Sequence, residues 1–155
     1  MSTERMMILL AEDDDGHASL IRRNLQRAGV INEITHVRDG QEALDFLRGQ
    51  GAYAGKSPPA PMLLLLDINM PRLSGVDVLR EVKRHPATSL IPVIMLTTTD
   101  DPREVHRCYE LGCSVYLTKP VQYADFVEAI KRLGLFLEII KAPPATTRPG
   151  ADDNP

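Results

Sequence analysis

The sequence predicts an α/β fold, a doubly wound sandwich in which helices cover both faces of a parallel sheet. Three observations carry that expectation. Four short apolar runs without alternation, residues 7–11, 62–66, 92–96 and 115–117, suit strands buried on both faces. Amphipathic helical patterns with cap signals at their ends lie between them. Strand and helix alternate along the whole pattern, which argues for crossover connections and not for hairpins.

The elements follow in order. The run 7–11 is the first strand. Leu20, Ile21, Leu25 and Ala28 mark a helix that Gly29 terminates, and Asp14 or Asp15 is placed to cap its start. Residues 34–37 form a weaker, more polar strand that belongs nearer an edge. Asp39 with Glu42 three residues on resembles a capping box opening a helix over 41–48. Residues 49–61 hold three glycines and three prolines and read as a long surface loop before the strand at 62–66. Ser74 with Asp77 opens a helix over 78–84. Asp101-Pro102-Arg103-Glu104 opens the next, with Pro at its first position, and Gly112 closes it. The last helix is expected from Tyr123 to about Lys141. From Ala142 the chain turns to Pro, Thr, Gly and Asp without apolar periodicity, the composition of a disordered tail over 142–155.

Composition narrows the function classes. A chain of 155 residues is one domain by length and can bury a sizeable core without staples. A net charge of −3 gives no basic footprint for nucleic acid. No apolar run approaches the roughly 20 residues that a membrane span needs, and the N-terminus lacks the pattern of a secretory signal. Cys108 and Cys113 are too far apart for a CxxC pair and read as small buried side chains. The expectation is a reduced, cytoplasmic chain. His17, His36, His85 and His106 lack metal-ligand spacing and read as surface or helix residues.

Open parallel sheets bind ligands outside the carboxyl ends of their strands. Glu12-Asp13-Asp14-Asp15 follows the first strand, Asp67 the third, Thr97-Thr98-Thr99 the fourth, and Lys119-Pro120 the fifth. Carboxylates crowded near Asp67 repel one another, and so raise a pKa or demand a cation. An oxygen-only donor set suits Mg²⁺. Carboxylate, Mg²⁺, lysine and threonine are together the parts for phosphoryl transfer to an aspartate.

These residues also resemble a known family, the CheY-like receiver domains of two-component response regulators. The likeness spans roughly residues 6–140 and rests on four sets: I-L-L-A-E-D-D from Ile8, L-L-L-L-D-I-N-M-P from Leu63, V-I-M-L-T-T from Val93 and Y-L-T-K-P from Tyr116. The resemblance implies a flavodoxin-like (βα)5 three-layer sandwich with sheet order 2-1-3-4-5, a receiver unit over 1–141. It implies that Asp67 accepts a phosphoryl group from a sensor histidine kinase, becoming 4-aspartylphosphate. Glu12 and Asp13 match the acidic pair that holds Mg²⁺ with Asp67, with Glu replacing the commoner first Asp. Asn69 matches the position whose backbone carbonyl also binds the metal. Lys119 matches the lysine that pairs with the phosphoryl group, its bond to Pro120 cis. Thr97 and Tyr116 match the switch pair.

A closer resemblance is to single-domain regulators that partner bacterial phytochromes. The shared features are the Gly51-Ala52-Tyr53 loop, Leu96-Thr97-Thr98, and a long last helix followed by Ala142-Pro143-Pro144. One rival function is a haloacid-dehalogenase-like phosphatase, which needs an acid two residues after its aspartate, where this chain has Asn69. A second is a receiver-like interaction module that is never phosphorylated. Such modules usually lose the Asp, Lys or Thr, and this chain keeps Asp67, Lys119 and Thr97. The last helix also carries an expected homodimer contact. Phe126, Ile130, Leu133, Leu137 and Ile140 form one buried stripe, while Leu135, Phe136 and Ile139 fall off it and make the end apolar nearly all round.

Overall fold

A computed structural model describes residues 6–55, 62–98 and 100–133. The strands are β1 (Met7–Ala11), β2 (Ile34–Val37), β3 (Met62–Asp67), β4 (Val93–Thr97) and β5 (Val115–Thr118). The helices are α1 (Asp15–Arg27), α2 (Gly40–Arg48), α3 (Gly75–Arg84), α4 (Pro102–Leu111) and α5 (Tyr123–Arg132). All strands are parallel, in the order β2-β1-β3-β4-β5. The expected continuation of the last helix to Lys141 and the tail over 142–155 lie outside the described residues.

The apolar runs are continuous because both faces of the sheet are covered. Alternate side chains of each strand point to opposite faces. Ile8, Leu10, Leu63, Leu65, Ile94 and Leu96 share one core with α1 and α5. Met7, Leu9, Leu64, Leu66, Val93 and Met95 share the other with α2, α3 and α4. Each buried Leu or Ile contributes about 1.5–3 kcal/mol of transfer free energy, so no register slip by one residue is tolerated. β2 sits at an edge and is half-buried over most of its length, as its polarity foretold.

The cap signals translate into hydrogen bonds. Asp14, not Asp15, caps α1 by accepting from the His17 N–H at 2.9 Å. Asp15 instead meets Arg38 at the end of β2. Asp39 accepts from the Glu42 N–H at 2.7 Å, and Glu42 accepts in return from the Arg38 N–H at 3.0 Å, one residue before the cap. Ser74 and Asp101 cap α3 and α4. Gly29 closes α1 in the left-handed conformation, at φ 90°, with the Val30 N–H returning to the Leu25 carbonyl.

Three details differ from expectation. Strands β3, β4 and β5 run on through Asp67, Thr97 and Thr118, so two of the site residues are the last ladder residues and not loop residues. Leu20, counted with the apolar side of α1, is 37% exposed. The loop after α2 contains a 3₁₀ turn, Gly51–Tyr53, whose Tyr53 ring stands edge-on to Phe46 and donates its hydroxyl to Glu42 at 2.9 Å. Of the stripe on the last helix, Phe126 and Ile130 are buried and Leu133 packs against the same core. Leu135, Phe136, Leu137, Ile139 and Ile140 lie outside the described residues.

Gly75 starts α3 against the end of β3. A Cβ there would lie 2.2 Å from the Asp67 carbonyl oxygen and 2.8 Å from the Ile68 Cα. Backbone on both sides cannot yield cheaply. Gly75→Ala is therefore expected to lower unfolding stability by about 2 kcal/mol, within the usual range for overpacking. Chemical denaturation checks it, and an unchanged midpoint would contradict the close approach.

Candidate functional site at the carboxyl edge of the sheet

Four strand ends deliver the site. β1 ends at Ala11, and Glu12 follows, fully buried, its N–H bonded to the Val37 carbonyl at 3.0 Å. Asp67 is the last residue of β3 and is 3% exposed. Thr97 is the last residue of β4 and is fully buried. Lys119 follows β5, with its N–H bonded to the Thr97 carbonyl at 2.6 Å and a cis bond to Pro120.

The Lys119 ammonium lies between the carboxylates. It is 2.5 Å from Glu12 Oε1 and 3.2 Å from Asp67 Oδ1. Carboxylate oxygens of Glu12, Asp13 and Asp67 lie within 4.8 Å of one another. Glu12 and Asp67 are buried, while Asp13 is exposed at the rim. Three acids face one base, so the site carries surplus negative charge. Burial, and then the Glu12 charge, push the Asp67 carboxyl up to about 6, while Lys119 opposes them. That preference for the neutral acid corresponds to roughly 3 kcal/mol. The donor set is all oxygen, which fits a hard divalent cation that keeps some of its water.

Asn69 is exposed two residues after Asp67, and its nearby backbone N–H favours the charged form of the Asp67 carboxyl. Tyr116 joins the site through a hydrogen bond with Thr97. Burial pushes its hydroxyl up to about 12, so the ring stays neutral. The backbone N–H of Tyr116 donates to the Tyr109 hydroxyl at 3.2 Å.

The structure thus brings Glu12, Asp13, Asp67, Thr97 and Lys119 to one edge. It also brings there two histidines that spacing rules had set aside. His17 Nδ1 lies 3.0 Å from Lys119 Nζ, and His36 Nε2 lies 2.7 Å from the Glu12 carbonyl oxygen. A test for metal-ligand spacing could not find them, because each serves a neighbour of the cluster. The available signal was position: His17 lies one turn into the helix after the acidic run, and His36 pairs with Leu10 across the β1–β2 ladder. Cys108 and Cys113 are buried, as expected, and burial pushes their thiols up to about 11 and about 12.

The raised Asp67 carboxyl sets a stability test. Between about pH 4 and 6 the folded protein holds a proton that the unfolded chain releases, so stability falls as pH rises through that window. Above about 6 the full cost of the buried charge is present. Metal-free Asp67→Asn is therefore expected to be more stable than the parent at pH 7 by roughly 2 kcal/mol, with the gap closing towards pH 4. Saturating Mg²⁺ should raise the melting temperature of the parent and not that of the variant. Thermal melts across pH, with and without Mg²⁺, check both, and parallel curves would contradict the electrostatics.

Comparison with known proteins identifies the family. Residues 8–131 match the family described as the response regulator receiver domain. Response regulator Rcp1 of Synechocystis is 36% identical over 140 residues, covering 90% of this chain and 94% of that protein. Among solved structures, the bacteriophytochrome response regulator RtBRR superposes with a TM-score of 0.80 at 37% identity, over 92% of this chain and 86% of its own. A response regulator receiver domain from Rhodospirillum rubrum is 48% identical with a TM-score of 0.70, over 92% of this chain and all of its own. The Mn(2+)-bound form of Rcp1 matches at a TM-score of 0.69, with 33% identity, 94% of this chain and 99% of its own. Fold, family match and relatives concur: the chain belongs to the response regulator receiver domain family, and its function is that of a response regulator in a two-component phosphorelay, similar to the regulators of phytochromes.

Proposed function

We propose that Asp67 is the phosphoacceptor and that the donor is a phosphohistidine on a sensor histidine kinase of the phytochrome class. The observation that carries this reading is the buried Asp67 carboxylate, 3.2 Å from a buried ammonium and grouped with two further carboxylates. An Asp67 oxygen attacks phosphorus, a P–O bond forms, the P–N bond to the imidazole breaks, and the leaving imidazole keeps the electron pair of that bond. Mg²⁺ held by Glu12, Asp13, Asp67 and the Asn69 carbonyl would neutralise charge on the phosphoryl oxygens. The Mn(2+)-bound relative supports a divalent ion at such a cluster. Lys119 offers a phosphoryl oxygen a charged hydrogen-bond donor. An apolar cleft of about 270 Å³ beside it, lined by His17, Leu20, Ile21, Thr98, Pro120 and Val121, leaves room for a partner to approach. Because the Asp67 carboxyl sits near 6, its nucleophilic form predominates at pH 7.

Thr97 and Tyr116 are the switch in this reading. Their mutual hydrogen bond competes with one from Thr97 to a phosphoryl group, so phosphorylation frees the Tyr116 ring to repack beside α4. The protein acts by changing its binding partners and is not a dedicated enzyme. Its setting is cytoplasmic; two buried free cysteines suit a reducing compartment, and no helix among the described residues is long and apolar enough to cross a membrane.

Acetyl phosphate with Mg²⁺ followed by intact mass tests the acceptor. The parent and Thr97→Ala should each gain one phosphoryl group, and Asp67→Asn none. The change in partner affinity on phosphorylation should be weaker in Thr97→Ala than in the parent. Equal gain in Asp67→Asn would refute the assignment. The reading includes a homodimer through the apolar segment 133–140, supported by its sequence pattern. Sedimentation at micromolar concentration should give a dimer for the parent and a monomer for the double change Leu135→Glu and Phe136→Glu. A monomeric parent would remove the dimer from the reading.

A further inference from the structure

An ammonium has three donors and no acceptor. Around Lys119 three acceptors stand within reach: Glu12 Oε1 at 2.5 Å, Asp67 Oδ1 at 3.2 Å and His17 Nδ1 at 3.0 Å. Two are carboxylates. The third is an imidazole nitrogen, which accepts from the ammonium only in the neutral tautomer with the proton on Nε2. His17 lies 3.7 Å from Glu12 Oε2, so its main engagement is with the lysine.

We propose that His17 is a positioning residue for phosphoryl transfer, holding Lys119 by its third donor so that the ammonium faces Asp67. This rests on Asp67 being the acceptor. Lys119 has a long flexible stem with several rotatable bonds, and its two carboxylate partners are also the groups that a divalent cation would engage. His17 lies outside that acidic cluster, so its hold on Lys119 does not compete with the cation.

The helix carrying His17 is itself tied to the Lys119 segment. Asn24 lies seven residues on, two turns along the same face of α1. Its buried Nδ2 donates to the Val121 carbonyl at 2.6 Å, two residues beyond Lys119. The start of α1 is set by the Asp14 cap on the His17 N–H. Helix α1 thus grips the segment at two places, the backbone at Val121 and the side-chain tip of Lys119. His17 is 44% exposed, so its replacement leaves the core untouched.

The test follows the rate of phosphorylation by acetyl phosphate in Mg²⁺, read by intact mass for the parent, His17→Ala and His17→Asn. Asn places an amide oxygen close to where Nδ1 stood. A misplaced reacting group costs rate at saturation. His17→Ala should lower the maximal rate about tenfold, with the half-saturating acetyl phosphate and Mg²⁺ concentrations each within twofold of the parent. His17→Asn should recover to within threefold of the parent. A His17→Ala rate equal to or above that of the parent overturns the inference, as does an Asn variant as slow as the Ala variant. Changed half-saturation with an unchanged maximal rate overturns it in favour of a binding role. A parent that gains no phosphoryl group on Asp67 instead overturns the acceptor assignment, and the inference with it.

Discussion

The buried ammonium of Lys119, set between the carboxylates of Glu12 and Asp67, is the contact around which the rest of this structure is organised. Charges taken out of water cost several kcal/mol each unless they are paired. Here the pairing is incomplete, since Asp13 adds a third carboxylate within 4.8 Å. Burial, and then the Glu12 charge, hold the Asp67 carboxyl near 6, and the surplus negative charge leaves the cluster suited to a cation. A site balanced by its own residues would have no such need. Stability is thus given up at the place where a divalent cation would restore the balance.

Keeping such a cluster requires a frame that cannot relax around it. The three interior strands provide it, because β1, β3 and β4 are buried on both faces and lock one another in register. Gly75 lets α3 begin against the Asp67 carbonyl, so the end of β3 is clamped by backbone. The Lys119 N–H bonds the Thr97 carbonyl, and Asn24 ties the following segment to α1. His36 engages the Glu12 carbonyl from the edge strand. All of these contacts but that of Gly75 join residues far apart in sequence. Together they leave the ionised side chains little freedom to move apart.

Much of this was legible in the chain. Buried parallel strands read as apolar runs because neither face meets water, and four of the five strands stood out that way. β2 was weaker because an edge strand keeps polar residues. Capping residues were readable since a cap is a local hydrogen bond, as at Asp39 and Ser74. The choice between Asp14 and Asp15 was not, because both lie at the helix start and only Asp14 has its oxygen turned to the His17 N–H. Leu20 misled because helical periodicity marks a stripe and not its edges. His17 and His36 escaped because their partners are a lysine about a hundred residues away and the backbone carbonyl of Glu12, just after the neighbouring strand.

The sequence by itself determined the sheet, its helices and the gathering of acids, hydroxyl and lysine at one edge. Those follow from periodicity, caps and the rule that parallel strands present the same end to one side. Only the tertiary structure decided which groups share protons and charge within that edge. It placed the Lys119 ammonium on Glu12 as well as on Asp67, engaged His17 with it, and joined Thr97 to Tyr116. The physical reason is range. Periodicity and capping act over a few residues, whereas desolvation and Coulomb interaction depend on distances of about 3 Å between side chains that the fold brings together from opposite ends of the chain.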